Sequence, residues 1–427
     1  MDSMSSDKNW RVVAPNPCKP GSSWPGIECK PGKDNHLHVS RLDFGITPYP
    51  FCKNRATFPS LIFDLPYLQS IFFFHCFNHT KTSLSIPFTN RASSLQQLSL
   101  RANQALVGPI PAQISSLKSL QILTLSQNQH HGRIPQEIFS ITSLIHLDLS
   151  YNSLTGTIPG QLGRLTNLVG LDLSYNSLMG QIPSTIGQLG LLQKLDLSSN
   201  LLTGSVPSSI ESLKVLVFMA LSNNRLRGNF PMGLAKLQSL QYFLMDDNPM
   251  FTTLPSEFGN LVKLQELRLA NSGYLGPIPQ SFSQLQNLST LSLQNNKLTG
   301  EVPVGLSSLS HIYHLNLSRN MLSGVVPFNS AFLKRLGRNL DLSGNPWLCL
   351  NGSEALEGVK IGVSVCGRDK TGSTVMPLKK SVAPSSKFCK LVNLLSVIAC
   401  SIPIYKELLD EGIETDTSRP EWPSAFS

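Results

Sequence analysis

Nine histidines and eight cysteines are the obvious sources of catalytic or metal chemistry in this 427-residue chain. The close histidine pairs are His36-x-His38 and His130-His131, and neither has an acidic or cysteine ligand at a fitting spacing in sequence. Zinc sites draw on tightly spaced Cys and His, and no C-x-x-C occurs. A metal site is therefore not expected. No G-x-S-x-G elbow, phosphate-binding loop or H-E-x-x-H is present either. The expectation is a chain without a cofactor and without a catalytic centre.

The cysteines read more naturally as structure. Cys18 and Cys29 bracket a segment containing Trp24, and Cys349 and Cys366 follow Asn345-Pro346-Trp347. Cys52 and Cys76 lie between these sets. Disulfides Cys18–Cys29, Cys52–Cys76 and Cys349–Cys366 are expected, which implies an oxidising compartment. The alternative is reduced, buried cysteines in a cytosolic protein. Four N-x-S/T sequons, at Asn78, Asn287, Asn316 and Asn351, agree with secretion. The net charge of +9 and pI near 9.1 raise the question of nucleic acid. Lys and Arg are spread along the chain without a dense basic run, so nucleic acid is not expected. Attraction to acidic cell-wall polymers remains a use for the charge, beside the plainer reading of a solvated surface.

What must position these groups is a repeat. Leu144, Leu147, Leu149, Asn152, Leu154, Gly156, Ile158 and Pro159 recur 24 residues later as Leu168, Leu171, Leu173, Asn176, Leu178, Gly180, Ile182 and Pro183. Counting Leu144 as position 1, apolar residues at 1, 4 and 6 bracket a short strand, with 4 and 6 turned inward. The Asn at position 9 ends the strand and can satisfy backbone groups of its own and the adjoining coil. Gly at 13 permits an unusual backbone angle, and Pro at 16 fixes the exit. Residues such as Gln161 to Leu165 supply a helical turn. A period in the twenties with this spacing marks a leucine-rich-repeat solenoid. The predicted fold is an α/β repeat solenoid, a right-handed superhelix with short parallel β-strands on the concave face and disulfide-capped ends. About 13 coils are expected, since two looser units at Val39-Leu42-Phe44 and Leu68-Ile71-Phe73 precede the regular ones.

The predicted organisation is a cysteine cap over 1–38, the solenoid over 39–346, a second cap over 347–367 and a disordered tail over 368–427. Met1 to Arg11 is polar and lacks the apolar core of a secretory leader, so a truncated N-terminus is expected. In the tail, Leu391 to Tyr405 is an apolar run of 15 residues, short of the roughly 20 that span a bilayer. Lysines precede it and acids follow it, which leaves membrane attachment open.

Strand positions 3, 5, 7 and 8 should face the concave side and stack into columns. The expected ligand-binding residues are His146, Tyr151, Tyr175, Lys194, Phe218, Tyr242, Asp246, Glu266 and Arg268. Aromatic and Arg side chains dominate interface energetics. The plainer reading of Tyr151 and Tyr175 is a common repeat residue covering its neighbour. The pattern also breaks: Thr252 stands where Gly is expected, Ser272 in an Asn slot, and Tyr274 and His130 in Leu slots. Such departures fall at functional or strained places, or reflect drift.

The cap around Trp24-Pro25-Gly26-Ile27-Glu28-Cys29, the repeat segments Leu95 to Arg101 and Met219 to Asn224, and Asn339 to Asn345 together resemble plant leucine-rich-repeat receptor-like proteins. The resemblance covers about residues 7 to 367. It implies a secreted or plasma-membrane protein that binds a peptide or protein ligand, or partners a receptor-kinase co-receptor, without catalysis. The alternatives are a secreted inhibitor of a cell-wall-degrading enzyme and a cytosolic repeat scaffold.

Overall fold

The computed structural model describes residues 4, 16–19, 24–87, 94–355 and 360–367. The 368–427 tail with its apolar run, and most of Met1 to Arg11, lie outside the described residues. No described helix is long and apolar enough to cross a membrane.

Each coil follows from its repeat. In the coil that starts at Leu144, the strand His146–Asp148 is followed by a second strand, Ser153–Thr157, and a 3-10 turn, Gly160–Arg164. Leu144, Leu147, Leu149, Leu154, Leu162 and Leu165 are all buried. Gly156 sits at φ +81°, and a Cβ there would come 2.9 Å from the Arg133 side chain. Glycine is thus required by both conformation and space.

Stacked coils build a fourteen-stranded sheet. Its first two strands, Ile27–Pro31 and Leu37–Phe44, are antiparallel, and from Leu37–Phe44 onward the pairings are parallel. The register is strict: His146, Gly170, Lys194, Phe218, Tyr242 and Glu266 pair in one row. This is the solenoid expected from the repeat. The Asn slot supplies the connection between coils. Asn200 Nδ2 donates to the carbonyls of Leu173 (3.0 Å), Leu197 and Ser198 (3.2 Å each), and its Oδ1 accepts from Leu178 N (3.0 Å). The Leu173 and Leu197 carbonyls also accept from Asn176 (3.2 Å) and Asn224 (2.9 Å), so successive asparagines share carbonyls and form a continuous ladder through the buried turns.

A second ladder runs along the coils and is interrupted. Six strands run from Val107–Gly108 to Arg225–Leu226, and five from Leu275–Pro277 to Ser364–Val365. Between them, residues 248–254 contribute only an isolated bridge, Thr253 to Leu275. Pro249 has no N–H to donate, and Thr252 replaces the glycine of other coils. The predicted repeat break is thus a break in the regular strand ladder, bridged by irregular backbone bonds such as Gly228 N to the Met250 carbonyl and Met250 N to the Ser272 carbonyl.

Both ends are covered. Trp24 is buried with its ring edge-on to Phe44 (6.0 Å), and Phe58, Phe63, Phe73 and Phe77 fill the looser coils. At the other end the helix Ser330–Leu336 buries Phe332, Leu333 and Leu336, with Asn329 capping Phe332 N at 2.9 Å. Cys18–Cys29, Cys52–Cys76 and Cys349–Cys366 are bonded.

Candidate ligand-binding surface

Three columns of side chains rise from the strand face between Leu144 and Ala270. Position 3 holds His146, Lys194, Phe218, Tyr242 and Glu266, all half-buried. Position 5 holds Asp148, Asp172 and Asp196 in neighbouring strands. Position 8 holds Tyr151 and Tyr175, which stack face to face with ring centroids 4.1 Å apart and an interplanar angle of 9°. They remain 40% and 47% exposed. Phe218 and Tyr242 also meet, at 6.2 Å.

The three aspartates form a ladder. Ser150, Ser174 and Ser198 each donate a backbone N–H and a hydroxyl to the carboxylate two residues earlier, the hydroxyl bonds being 2.7, 2.6 and 2.6 Å. Lys194 Nζ lies 2.9 Å from Asp172 Oδ2 and 5.9 Å from the Phe218 ring centroid. Burial, with the neighbouring Asp172 charge, raises Asp196 to about 6 and also raises Asp148. Burial, then the Lys194 charge, pushes His146 down.

Farther along, Arg268 Nε donates to Asp246 Oδ2 at 2.8 Å, and Arg268 Nη1 lies 3.9 Å from Glu266. Tyr242 OH donates to Gln265 Oε1 at 3.0 Å. Burial raises the Asp246 and Glu266 carboxyls despite the Arg268 charge beside them.

Two features differ from the sequence reading. Position 7 is turned under in part of the face: Ser150, Ser174 and Asp246 are buried, while Ser198 and Ser222 are half-buried. Asp246 accepts from Ala270 N at 2.7 Å as well as from Arg268, so it orients Arg268 and closes the next coil. The strand has already begun to turn at this position, because position 8 lies in the left-handed region throughout, with φ +53° at Tyr151, +52° at Tyr175 and +57° at Asp247. The second difference concerns His36 and His38. An acidic partner does stand near them: His38 Nε2 is 2.9 Å from the Asp34 carboxylate, and its ring stacks on Tyr67 at 4.1 Å. Sequence periodicity does not reveal Asp34, because a turn, not a helix or strand period, brings it back to His38. Among the described residues no three His, Cys, Asp or Glu side chains gather as a metal site. His130, in its Leu slot, is buried with Nδ1 3.1 Å from the Gly108 carbonyl.

The sequon asparagines divide. Asn287 and Asn351 are exposed, although Asn287 Nδ2 donates to the Val262 carbonyl at 2.8 Å, whereas Asn78 and Asn316 are half-buried. Asn78 Nδ2 donates to the His75 carbonyl, and Asn316 Oδ1 accepts from Ser318 Oγ at 2.7 Å.

Comparison with known proteins places this geometry. Leucine rich repeat family models match residues 118–178, and 191–213 with 287–309. Receptor like protein 29 of Arabidopsis thaliana is 65% identical over 130 residues, 30% of this chain and 28% of that protein. Protein TOO MANY MOUTHS of the same plant is 38% identical over 123 residues, 28% of this chain and 24% of that protein. The matched part thus spans about a quarter of the curated relatives' length. Among solved structures, the plant peptide hormone receptor RGFR1 in complex with RGF2 superposes with TM-score 0.59 at 32% identity, over 72% of this chain and 52% of that one. A leucine-rich-repeat protein of Leptospira interrogans superposes with TM-score 0.56 at 32% identity, over 70% and 71% of the two chains. The chain belongs to the leucine-rich-repeat proteins, and over the matched part it is similar to plant receptor-like proteins.

Proposed function

We propose that the strand face receives an extended peptide or protein segment outside the cell, beside a receptor-kinase partner, and that this chain binds without catalysing. The observation that carries the reading is the exposed Tyr151–Tyr175 stack next to the aspartate ladder. Aromatic side chains left in a row on a polar face are the usual anchors of an interface. At strand positions 3, 5 and 8 between His146 and Asn271, the acids Asp148, Asp172, Asp196, Asp247 and Glu266 stand with Lys194 and Arg268 as the only lysine and arginine. Basic residues of a ligand would complement that balance, and the tyrosine faces would add cation–π contact. The solved relative named as a peptide hormone receptor supports a peptide as the ligand class. The three disulfides support an oxidising, extracellular setting. Glycans on Asn287 and Asn351 would leave the strand face open, whereas one on Asn316, at a position-5 site, would stand on it.

The test is a display library of short peptides selected on the full chain, followed by affinity and thermal melting of Tyr175→Ala combined with Phe218→Ala. An affinity loss of about tenfold or more with unchanged melting is expected, in line with loss of a buried aromatic anchor. Unchanged affinity would dispose of this patch.

A further inference from the structure

The interruption of the second ladder leaves a shallow cleft of about 520 Å³ lined by Asp247, Asn248, Pro249, Phe251, Asn271, Ser272, Gly273 and Asn295. It draws on three successive coils. Asp247, Asn271 and Asn295 occupy the same left-handed position of each, at φ +57°, +54° and +55°, so their side chains repeat at the strand spacing of about 4.8 Å. Asn295 Nδ2 donates to Asn271 Oδ1 at 2.7 Å. That bond does not use the Asn271 amide hydrogens, the Asn295 carbonyl oxygen or the Asp247 carboxylate.

Phe251 forms the wall. It is 62% exposed and adopts φ +47°, a conformation that bulky side chains rarely take. Its ring lies against Gly273, where a Cβ would come 2.6 Å from ring carbon Cδ1, and Lys297 Nζ is 5.8 Å from the ring centroid. Neither folding nor core packing accounts for an aromatic ring held out at this place. Strained, exposed residues of this kind point to function.

We propose that this cleft binds a neutral pyranose unit of a glycan. A sugar ring has an apolar C–H face, suited to an open aromatic ring, and rim hydroxyls that each donate and accept. The carboxamide and carboxylate ladder offers donors and acceptors in alternation at one per coil. Asp247 and Lys297 are of opposite sign, so the site gives no net preference for a charged sugar. A peptide is a poorer fit, because the local backbone is already paired. Met250 N and Phe251 N donate to the Ser272 carbonyl at 3.0 and 3.3 Å, and Leu275 N donates to the Thr252 carbonyl at 2.9 Å. No strand edge is left there for a peptide to extend.

Saturation-transfer NMR on the full chain tests this, with cellohexaose, xylohexaose and mannohexaose as neutral probes and hexagalacturonate as the anionic one. Transfer from at least one neutral hexasaccharide is expected. Phe251→Ala and Asn271→Ala should each raise its Kd about tenfold or more, with melting unchanged for Phe251→Ala, whose ring is exposed, and slightly lower for Asn271→Ala, because asparagine suits the left-handed backbone there. Tyr175→Ala, on the strand face, should leave sugar binding intact, which separates this site from the peptide surface. Should Phe251→Ala melt early, Phe251→Leu keeps the apolar bulk and removes the ring. No transfer from any neutral probe, a preference for hexagalacturonate, or full binding by Phe251→Ala or Phe251→Leu in a folded chain would each overturn the proposal.

Discussion

Asp196→Asn should stabilise the solenoid at neutral pH and have little effect in acid. Asp196 shares a ladder with Asp172 and Asp148, with strands about 4.8 Å apart. Lys194, bonded to Asp172 at 2.9 Å, is the cation in the group. Burial first, and the Asp172 charge second, raise Asp196 to about 6 from an ordinary 3.8. A carboxyl whose folded pKa exceeds its unfolded one binds more protons when folded between those values. Stability from this group is therefore fullest below about pH 4, falls as pH rises toward 6, and is level above. Two pKa units correspond to about 3 kcal/mol. The carboxylates keep some contact with solvent, which reduces this to about 2 kcal/mol. The Asn oxygen can still accept both Ser198 bonds, at 3.0 and 2.6 Å in the parent. The variant should thus melt roughly 2–6 °C higher at pH 7.5 and level with the parent at pH 4. Paired melting curves at pH 4, 5.5 and 7.5 measure this. A variant that melts below the parent at pH 7.5, or a difference that ignores pH, would refute the reasoning. The same substitution removes one charge from the proposed ligand surface, so affinity for a basic peptide should fall while stability rises. That opposition is expected where charges are held for binding rather than for folding.

Asn200→Ala should be far more costly than its single side chain implies. It strands the interior Leu178 N–H and takes one of two amide donors from the Leu173 and Leu197 carbonyls, which keep Asn176 and Asn224. One unsatisfied N–H at about 1–3 kcal/mol and two lost bonds at about 0.5–1.5 kcal/mol each put the loss at roughly 2–6 kcal/mol; urea denaturation showing less than about 1 kcal/mol would contradict the ladder's role. His130→Leu should stabilise, and more so in acid. Burial lowers His130 to about 4, so the unfolded chain binds the extra proton first and stability is lost as pH falls from about 6.5 toward 4. At pH 5 that is about 2 kcal/mol, added to relief of a buried Nε2 that has no partner. Melting at pH 5 and pH 8 checks it, and an equal gain at both would remove the protonation argument.

The regular coils were legible because one period fixes them. Leu at 1, 4 and 6 can be buried only by a strand in register with the next, and the Asn bonds then follow from its position. The loose coils were legible for the same reason, with Phe58, Phe63 and Phe73 filling the space that leucines fill elsewhere. Less legible was the facing of position 7. Alternation along a strand assigns Ser150 and Asp246 outward, but the chain has entered the left-handed turn by then and folds them under. The cleft at 247–273 was visible only as an irregularity. Sequence marks Thr252 and Ser272 as misplaced; it does not reveal that Pro249 and Thr252 together stop a ladder, nor that Phe251 is left standing beside Gly273.

The left-handed position joins the two surfaces in one argument. Asn, Asp and Gly take this conformation most readily, and Asn223, Asp247, Asn271 and Asn295 occupy it here. Tyr151 and Tyr175 occupy it at a cost of about 1–2 kcal/mol each. Stacking the two rings returns only about 0.5–1.5 kcal/mol for the pair. The fold would therefore be better served by asparagine at both places, and Phe251 falls under the same reckoning without a stacking partner of its own kind. Exposed rings that the backbone disfavours and the core does not use are best explained by something they touch outside the chain. On the strand face that points to an extended ligand across Tyr151 and Tyr175, and at the ladder break to a flat, hydroxyl-rich one against Phe251.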